Sequence, residues 1–195
     1  MDDWSEVSTF ADLCALGAGW LDGSVSSHFT QTSPDEETLR IADVLSELNR
    51  RGLFTTFSQP AEALTEDGFA QRAAVQGYAE EPLARSIYAA SLSTDLIVMA
   101  FPPNYSGGYM LPITLDGFHP FTWCGCAEEI EDSGQEFPPK IVELLSQVWQ
   151  VVAIDPTWGR EDHLWNQLLS AGRGEILRFS SYPCDSHGLE TDFVC

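Results

Sequence analysis

The chain has 195 residues, 44% of them hydrophobic, which is enough for one domain with a real apolar core. Thirty acidic residues against nine basic ones give a formal net charge of -21, which disfavours binding to nucleic acids and to anionic membranes. No run approaches the roughly 18 apolar residues of a membrane-spanning helix. The acidic start MDDWSEVSTF also lacks the pattern of a secretory signal, so we expect a cytoplasmic protein.

Two helices are predicted at the start of the chain. Over 5–23, apolar residues recur at helical spacing. Over 33–52, the helix is expected to begin with Ser33 as N-cap, Pro34 at the first helical position and Glu36 completing a capping box.

The rest of the chain alternates between strands and helices. We predict strands over 53–57, 71–78, 95–101, 109–115, 150–155 and 174–179, and an extended segment over 118–126. Further helices are predicted over 80–93, 140–149 and 160–172. The segment 71–78 has helix as its alternative. The near-continuous apolar runs at 95–101 and 150–155 suit strands that are buried on both faces.

This order of elements predicts an α/β or α+β fold. We expect a single domain over 5–179, with a mixed β-sheet of about five to six strands and four to five helices packed on it. A loosely ordered C-terminal tail is expected over 180–195.

Polar residues stand where several predicted strands end or begin. Ser58 and Gln59 follow one strand, Gln71 and Arg72 open the next, and Asp155 ends a third. If the first two strands pair antiparallel, these side chains meet at one site, where ligands of open sheets commonly bind. Such a set suits a polar ligand, and the arginine could neutralise a carboxylate or phosphate.

A purely structural role for the same residues stays open. Arg72 and Asp155 would then form a partly buried ion pair. Ser58 and Gln59 would only cap the turn before Pro60.

The stretch RGLFTTFSQPAEALTEDGFAQRAAVQGYAEE resembles the central motif of an uncharacterised family of actinobacteria and their phages. Its matching elements are LN..G, TT.SQPG and QRA.V.GF, and the similarity extends over roughly residues 8–171. Ala61 departs from the glycine expected after SQP, and Tyr78 from the expected phenylalanine. No activity is associated with that family, so the resemblance implies a shared domain and motif and no reaction.

Metal and nucleophile chemistry have weak support, and we expect no cofactor. Cys124 and Cys126 form a C-x-C, which is not the C-x2-4-C spacing of common zinc sites. A zinc set would have to recruit residues of the tail, namely Cys184, His187 and Cys195. A Cys124–His119 nucleophile pair is disfavoured, because alternation along a strand places the two residues on opposite faces.

Three classes of function therefore remain. The first is a small binding domain that recognises a polar or anionic ligand at a cleft lined by the SQP and QR motifs. The second is an acidic interaction protein, of DNA-mimic or phage counter-defence type, that blocks a basic partner. The third is a small hydrolase-like enzyme that uses Asp155 or His163 as its base.

Overall fold

The computed structural model describes residues 4–28, 33–127, 130 and 137–171. Its α-helices are α1 (Phe10–Leu21), α2 (Glu36–Arg50), α3 (Glu81–Ser91), α4 (Pro139–Leu145) and α5 (Asp162–Ala171). Its strands are β1 (Leu53–Gln59), β2 (Ala70–Gln71), β3 (Ala74–Ala79), β4 (Ile97–Phe101), β5 (Gly107–Asp116), β6 (His119–Ala127) and β7 (Trp149–Ile154). The strand predicted at 174–179 and the tail at 180–195 lie outside the described residues.

Local capping sets where the first two helices begin. In α1, the Asp12 backbone N–H donates to the Thr9 hydroxyl at 3.1 Å, and the Thr9 N–H donates to the Asp12 carboxylate at 3.0 Å. In α2, the cap is Asp35, whose carboxylate accepts the Thr38 N–H at 2.7 Å. The prediction of Ser33 as N-cap was therefore wrong, because Asp35 is an equally good cap that lies next to the first helical residue.

None of the described helices combines the length and apolarity needed to cross a membrane.

The protein has an α+β fold, in which the strands form two antiparallel sheets instead of one mixed sheet. The larger sheet has the order β1-β3-β7-β4, and the smaller has the order β2-β5-β6. The predicted strand at 71–78 is split between them, since Gln71 pairs with β5 and residues 74–79 pair with β1 and β7. At the crossing, the Arg72 N–H donates to the Ile113 carbonyl and the Asp155 N–H donates to the Ala73 carbonyl.

Two apolar cores cover the two faces of the larger sheet. Along β7, Val151 and Ala153 belong to the core shared with the helices, whereas Val152 and Ile154 belong to a second core. Ile113 of β5 and Cys124 of β6 lie in the second core, so the smaller sheet covers the face opposite the helices. This confirms the prediction that the run at 150–155 is buried on both faces.

Close backbone contacts hold α1, α2 and β1 together beside the junction of the sheets. The buried Asn49 side chain donates to the Leu45 carbonyl and to the Thr55 hydroxyl, both at 2.8 Å. Gly17 of α1 packs on it, and a Cβ at Gly17 would lie 2.7 Å from the Asn49 Oδ1 atom. A glycine at this position therefore lets α1 approach the end of α2.

Candidate functional site

A cavity of about 430 Å³ opens between α1, the start of α2, β1 and the smaller sheet. Polar side chains form much of its wall: Asp35, Glu37, Thr38, Thr55, Thr56, Ser58, Gln59, Gln71, Thr114 and Thr122. Apolar side chains complete it: Trp20, Leu21, Leu45, Phe57, Phe69 and Phe121. Three of the five predicted site residues, Ser58, Gln59 and Gln71, therefore lie on one cavity. We call it the junction cavity, because it lies where the two sheets meet.

Gln59 joins the two sheets through all the polar atoms of its side chain. Its amide nitrogen donates to the Arg72 carbonyl at 3.1 Å and to the Ile113 carbonyl at 2.9 Å. Its carbonyl oxygen accepts the Thr114 hydroxyl at 2.8 Å. Both donors and one acceptor site are thus occupied by the protein itself. Gln59 forms part of the cavity wall, but its amide N–H groups are not available to a ligand.

Ser58 and Gln71 differ from Gln59 in having unoccupied groups. The Ser58 hydroxyl has no hydrogen-bond partner within the part of the chain that the structure describes. Gln71 is only 5% exposed, and its amide nitrogen makes one long contact, 3.4 Å, to the Glu37 carboxylate. Its carbonyl oxygen receives no donor from the described residues. Ser58 and Gln71 therefore keep groups on the cavity that the described residues do not use.

Arg72 lies outside the junction cavity. Its guanidinium carbon is 4.1 Å from the centre of the Trp158 ring, and its Nη1 atom donates to the Pro112 carbonyl at 2.8 Å. Burial lowers the pKa of Arg72, and the nearby Asp155 carboxylate partly opposes that shift. The arginine therefore fastens the crossing segment to β5 and to the loop after β7.

Asp155 is fully buried and also lies outside the cavity. Its carboxylate accepts the Arg160 Nε–H at 2.7 Å and the Thr157 backbone N–H at 2.8 Å. Arg160 also donates a hydrogen bond to the Asp95 carboxylate at 2.7 Å, and Asp95 lies 3.0 Å from the His163 Nε2 atom. The hydrogen bonds that Arg160 donates to Asp155 and then to Asp95 raise the pKa of Arg160. In this arrangement Asp155 serves as the anchor of a turn and an ion-pair chain, with no oxygen free to act as a base in the cavity.

The electrostatics of the junction cavity come from acids alone among the described residues. Asp35 and Glu37 contribute carboxylates at the α2 end, and no described arginine, lysine or histidine lines the wall. Because Arg72 turns to Trp158, the guanidinium expected beside Ser58 and Gln59 is absent from this group. The cavity is therefore acidic and aromatic, with hydroxyl and amide groups between.

Within the described residues no three His, Cys, Asp or Glu side chains are grouped to hold a metal ion. Cys124 is buried in the second core, whereas His119 is exposed, so the two do not face one environment. Burial also raises the pKa of the Cys14 thiol to about 12, which leaves it protonated. Cys184, His187 and Cys195 lie outside the described residues.

Sequence reasoning missed several lining residues of the junction cavity. Glu37 was not singled out in the predicted helix, and Thr114, Phe121 and Thr122 were assigned only to extended segments. No local signal marks them, because they reach the cavity through the pairing of β2, β5 and β6. The segment HPFTW at 119–123 is rich in aromatic residues, a feature visible in the sequence that suits a cavity wall.

Fold and site together define a small acidic α+β domain with a polar, aromatic-walled cavity at the junction of two antiparallel sheets. The chain belongs to the family described as Domain of unknown function (DUF6919), whose model matches residues 1–174. A search of curated proteins found no match to the chain.

Proposed function

We propose that this domain acts in the cytoplasm and binds a small polar ligand in the junction cavity, with Ser58 and Gln71 hydrogen-bonding the ligand. One observation carries the proposal. Gln71 is nine-tenths buried on the wall of an open cavity, and its carbonyl oxygen lacks a donor among the described residues. The oxygen is not among the fully buried, unpartnered side-chain atoms of the described residues, so it stays accessible from the cavity. An N–H or O–H donor of a bound molecule can therefore reach it.

The size of the cavity agrees with this role. Its volume of about 430 Å³ falls within the roughly 300–1,000 Å³ of typical small-molecule sites. The mixture of apolar walls with a few convergent polar groups is also typical of such sites. An anionic ligand has less support than a polar one, because the described lining includes two carboxylates and no base.

Thermal unfolding in the presence of a broad panel of polar metabolites tests the proposal. A ligand present at 100 times its Kd stabilises the folded state by about 2.7 kcal/mol, which corresponds to a rise in Tm of roughly 5–10 °C at this chain length. Ser58→Leu should abolish that rise by filling the cavity.

The matched control is Ser93→Leu, an exposed position outside the cavity lining, which should leave the rise unchanged. A panel in which no compound raises the Tm, or a rise that survives Ser58→Leu, would remove the proposal.

A second candidate is an acidic protein that engages a basic partner, such as a phage counter-defence factor. Six of the seven described basic side chains form ion pairs within the chain, and Arg72 is stacked on Trp158. The excess acids therefore dominate the surface potential. This candidate predicts capture of a basic partner that is released near 1 M salt, where the Debye length is about 3 Å.

A further inference from the structure

We infer that the ligand of the junction cavity is an organic cation, an ammonium or guanidinium group on a short stem. The inference rests on the proposed function and names the chemical class of its ligand. It follows from two features of the wall: the charged groups of the described lining are carboxylates, and four aromatic side chains complete the lining.

Several hydrogen-bonding groups of the wall can accept a hydrogen bond from a ligand, and one unpartnered group of the lining residues, the buried Trp20 Nε1–H, is a donor. The Gln71 carbonyl oxygen accepts no bond from a described residue, and Glu37 receives only the 3.4 Å contact from Gln71. Asp35 uses one oxygen for the Thr38 N–H and keeps the other. The Ser58 and Thr122 hydroxyls can donate or accept. A cation with several N–H groups satisfies this set, whereas an anion would leave the acceptors unpaired.

The described cations of the protein are committed elsewhere. Arg40 forms an ion pair with Glu62, and Arg72 is stacked on Trp158. Neither lines the cavity, and Arg40 interacts electrostatically with Glu37 from outside the lining. The net charge of -21 also concentrates cations near the whole surface and speeds their approach.

The aromatic part of the wall suits the same ligand. Trp20, Phe57, Phe69 and Phe121 all line the cavity, and Phe121 is 71% exposed with no apolar cover over most of its ring. The faces of such rings attract ammonium and guanidinium groups, with tryptophan the strongest. Carboxylates and aromatic faces around one cavity therefore select for a cation that also carries hydrocarbon.

Two sources could supply this chemistry. One is a free amine or guanidine metabolite, and the other is a lysine or arginine side chain of a basic protein. Agmatine and putrescine represent the first source. A short capped peptide with one arginine, flanked by glycines, represents the second. Both present the same cationic group, so one titration series compares them.

The experiment titrates the full chain with these probes and follows tryptophan fluorescence and calorimetric heat. Diacetylputrescine is the neutral comparison and adipate is the anionic one. We expect one cation per chain to bind, with the neutral and anionic probes at least about tenfold weaker. Raising the salt concentration should weaken the binding of the cations several-fold, because salt screens their attraction to the carboxylates.

Variants separate the cavity from the general acidity of the surface. Glu37→Gln should weaken the binding of agmatine about tenfold, because it removes a charge-assisted contact. Phe121→Ala should weaken it about threefold. Glu36→Gln removes the same charge one residue away, outside the cavity lining, and should leave the affinity within twofold. Equal losses in the two glutamate variants would overturn the inference in favour of diffuse surface attraction.

Each of the remaining outcomes also supports or overturns the inference. Preferred binding of the neutral or anionic probe would overturn the cation inference and leave the proposed function standing. No cation binding below about 10 mM would overturn it too, and the proposed function would fall only if the metabolite panel were also empty. Tighter binding of the arginine peptide than of agmatine would support the inference with a protein side chain as the source.

Discussion

Replacing Gln59 with methionine is expected to destabilise the domain strongly, although the two side chains have similar length. The substitution removes two donated bonds, to the carbonyls of Arg72 and Ile113, and one accepted bond, from Thr114. Each bond links β1 of the larger sheet either to the crossing segment at Arg72 or to β5 of the smaller sheet. The loss therefore acts on the junction that shapes the cavity.

The magnitude follows from how deeply each partner is buried. The bond to Thr114 is buried, and leaving its hydroxyl without a partner costs roughly 1–3 kcal/mol. The Ile113 carbonyl keeps the Arg72 N–H as a donor, and the bond to the Arg72 carbonyl is only partly buried, so we assign the loss of each at most about 1 kcal/mol. The expected total is about 2–4 kcal/mol, a sizeable share of the roughly 5–15 kcal/mol of a typical domain.

Urea unfolding followed by fluorescence measures this loss as a shift in midpoint at constant slope. Gln147→Met, at an exposed glutamine, is the matched control and should stay within about 0.5 kcal/mol. Adding Thr114→Val to Gln59→Met should recover roughly 1 kcal/mol, because it removes the orphaned hydroxyl. A loss below about 1 kcal/mol for Gln59→Met would refute the assignment of Gln59 as the link between the sheets.

Three further predictions test the surroundings of the cavity. Gly77→Ala should destabilise by about 2–4 kcal/mol in urea unfolding, because a Cβ there would lie 2.3 Å from the Phe54 carbonyl oxygen; a neutral effect would contradict this packing. Asp155→Asn should cost about 1–3 kcal/mol, because it weakens the charge-assisted bonds to a fully buried carboxylate, yet it should leave the ligand-induced rise in Tm intact; loss of that rise would show that Asp155 contributes to the site. Burial between aromatic rings lowers the pKa of His28 to about 4 from 6.5, so the unfolded chain binds more protons between these values and stability should fall by roughly 1–3 kcal/mol as pH drops from 6.5 to 4. His28→Phe should flatten that part of the stability profile, and an unchanged slope would contradict the assignment.

Much of the fold could be predicted because its signals are local. The apolar run of β7 identified a strand buried on both faces, and capping residues bracketed α2 to within a few positions. The antiparallel pairing of β1 with β3, which was the condition for the predicted site, is present and places Ser58 opposite Val75 and Gln59 opposite Ala74. The division into two sheets was not predictable, because it depends on the chain changing partner over Arg72 and the following alanine.

The candidate site was predicted in part for the same reason. Ser58, Gln59 and Gln71 were expected together from strand pairing, and they do line one cavity. Arg72 was expected there as well, but neighbouring residues of an extended chain point to opposite sides. Gln71 therefore lies on the cavity, while Arg72 turns to Trp158, a contact between residues far apart in sequence.

By itself, the sequence determined the elements, the acidity and the polar motif of this protein, since periodicity, capping and charge are properties of neighbouring residues. Only the tertiary structure decided which motif residues hold the sheets together and which keep groups that the described residues do not use. That division depends on long-range hydrogen bonds, such as those from Gln59 to β5, and on the walls that distant strands bring to one cavity. Neighbouring residues determine the local backbone conformation, whereas tertiary packing determines which groups each side chain contacts.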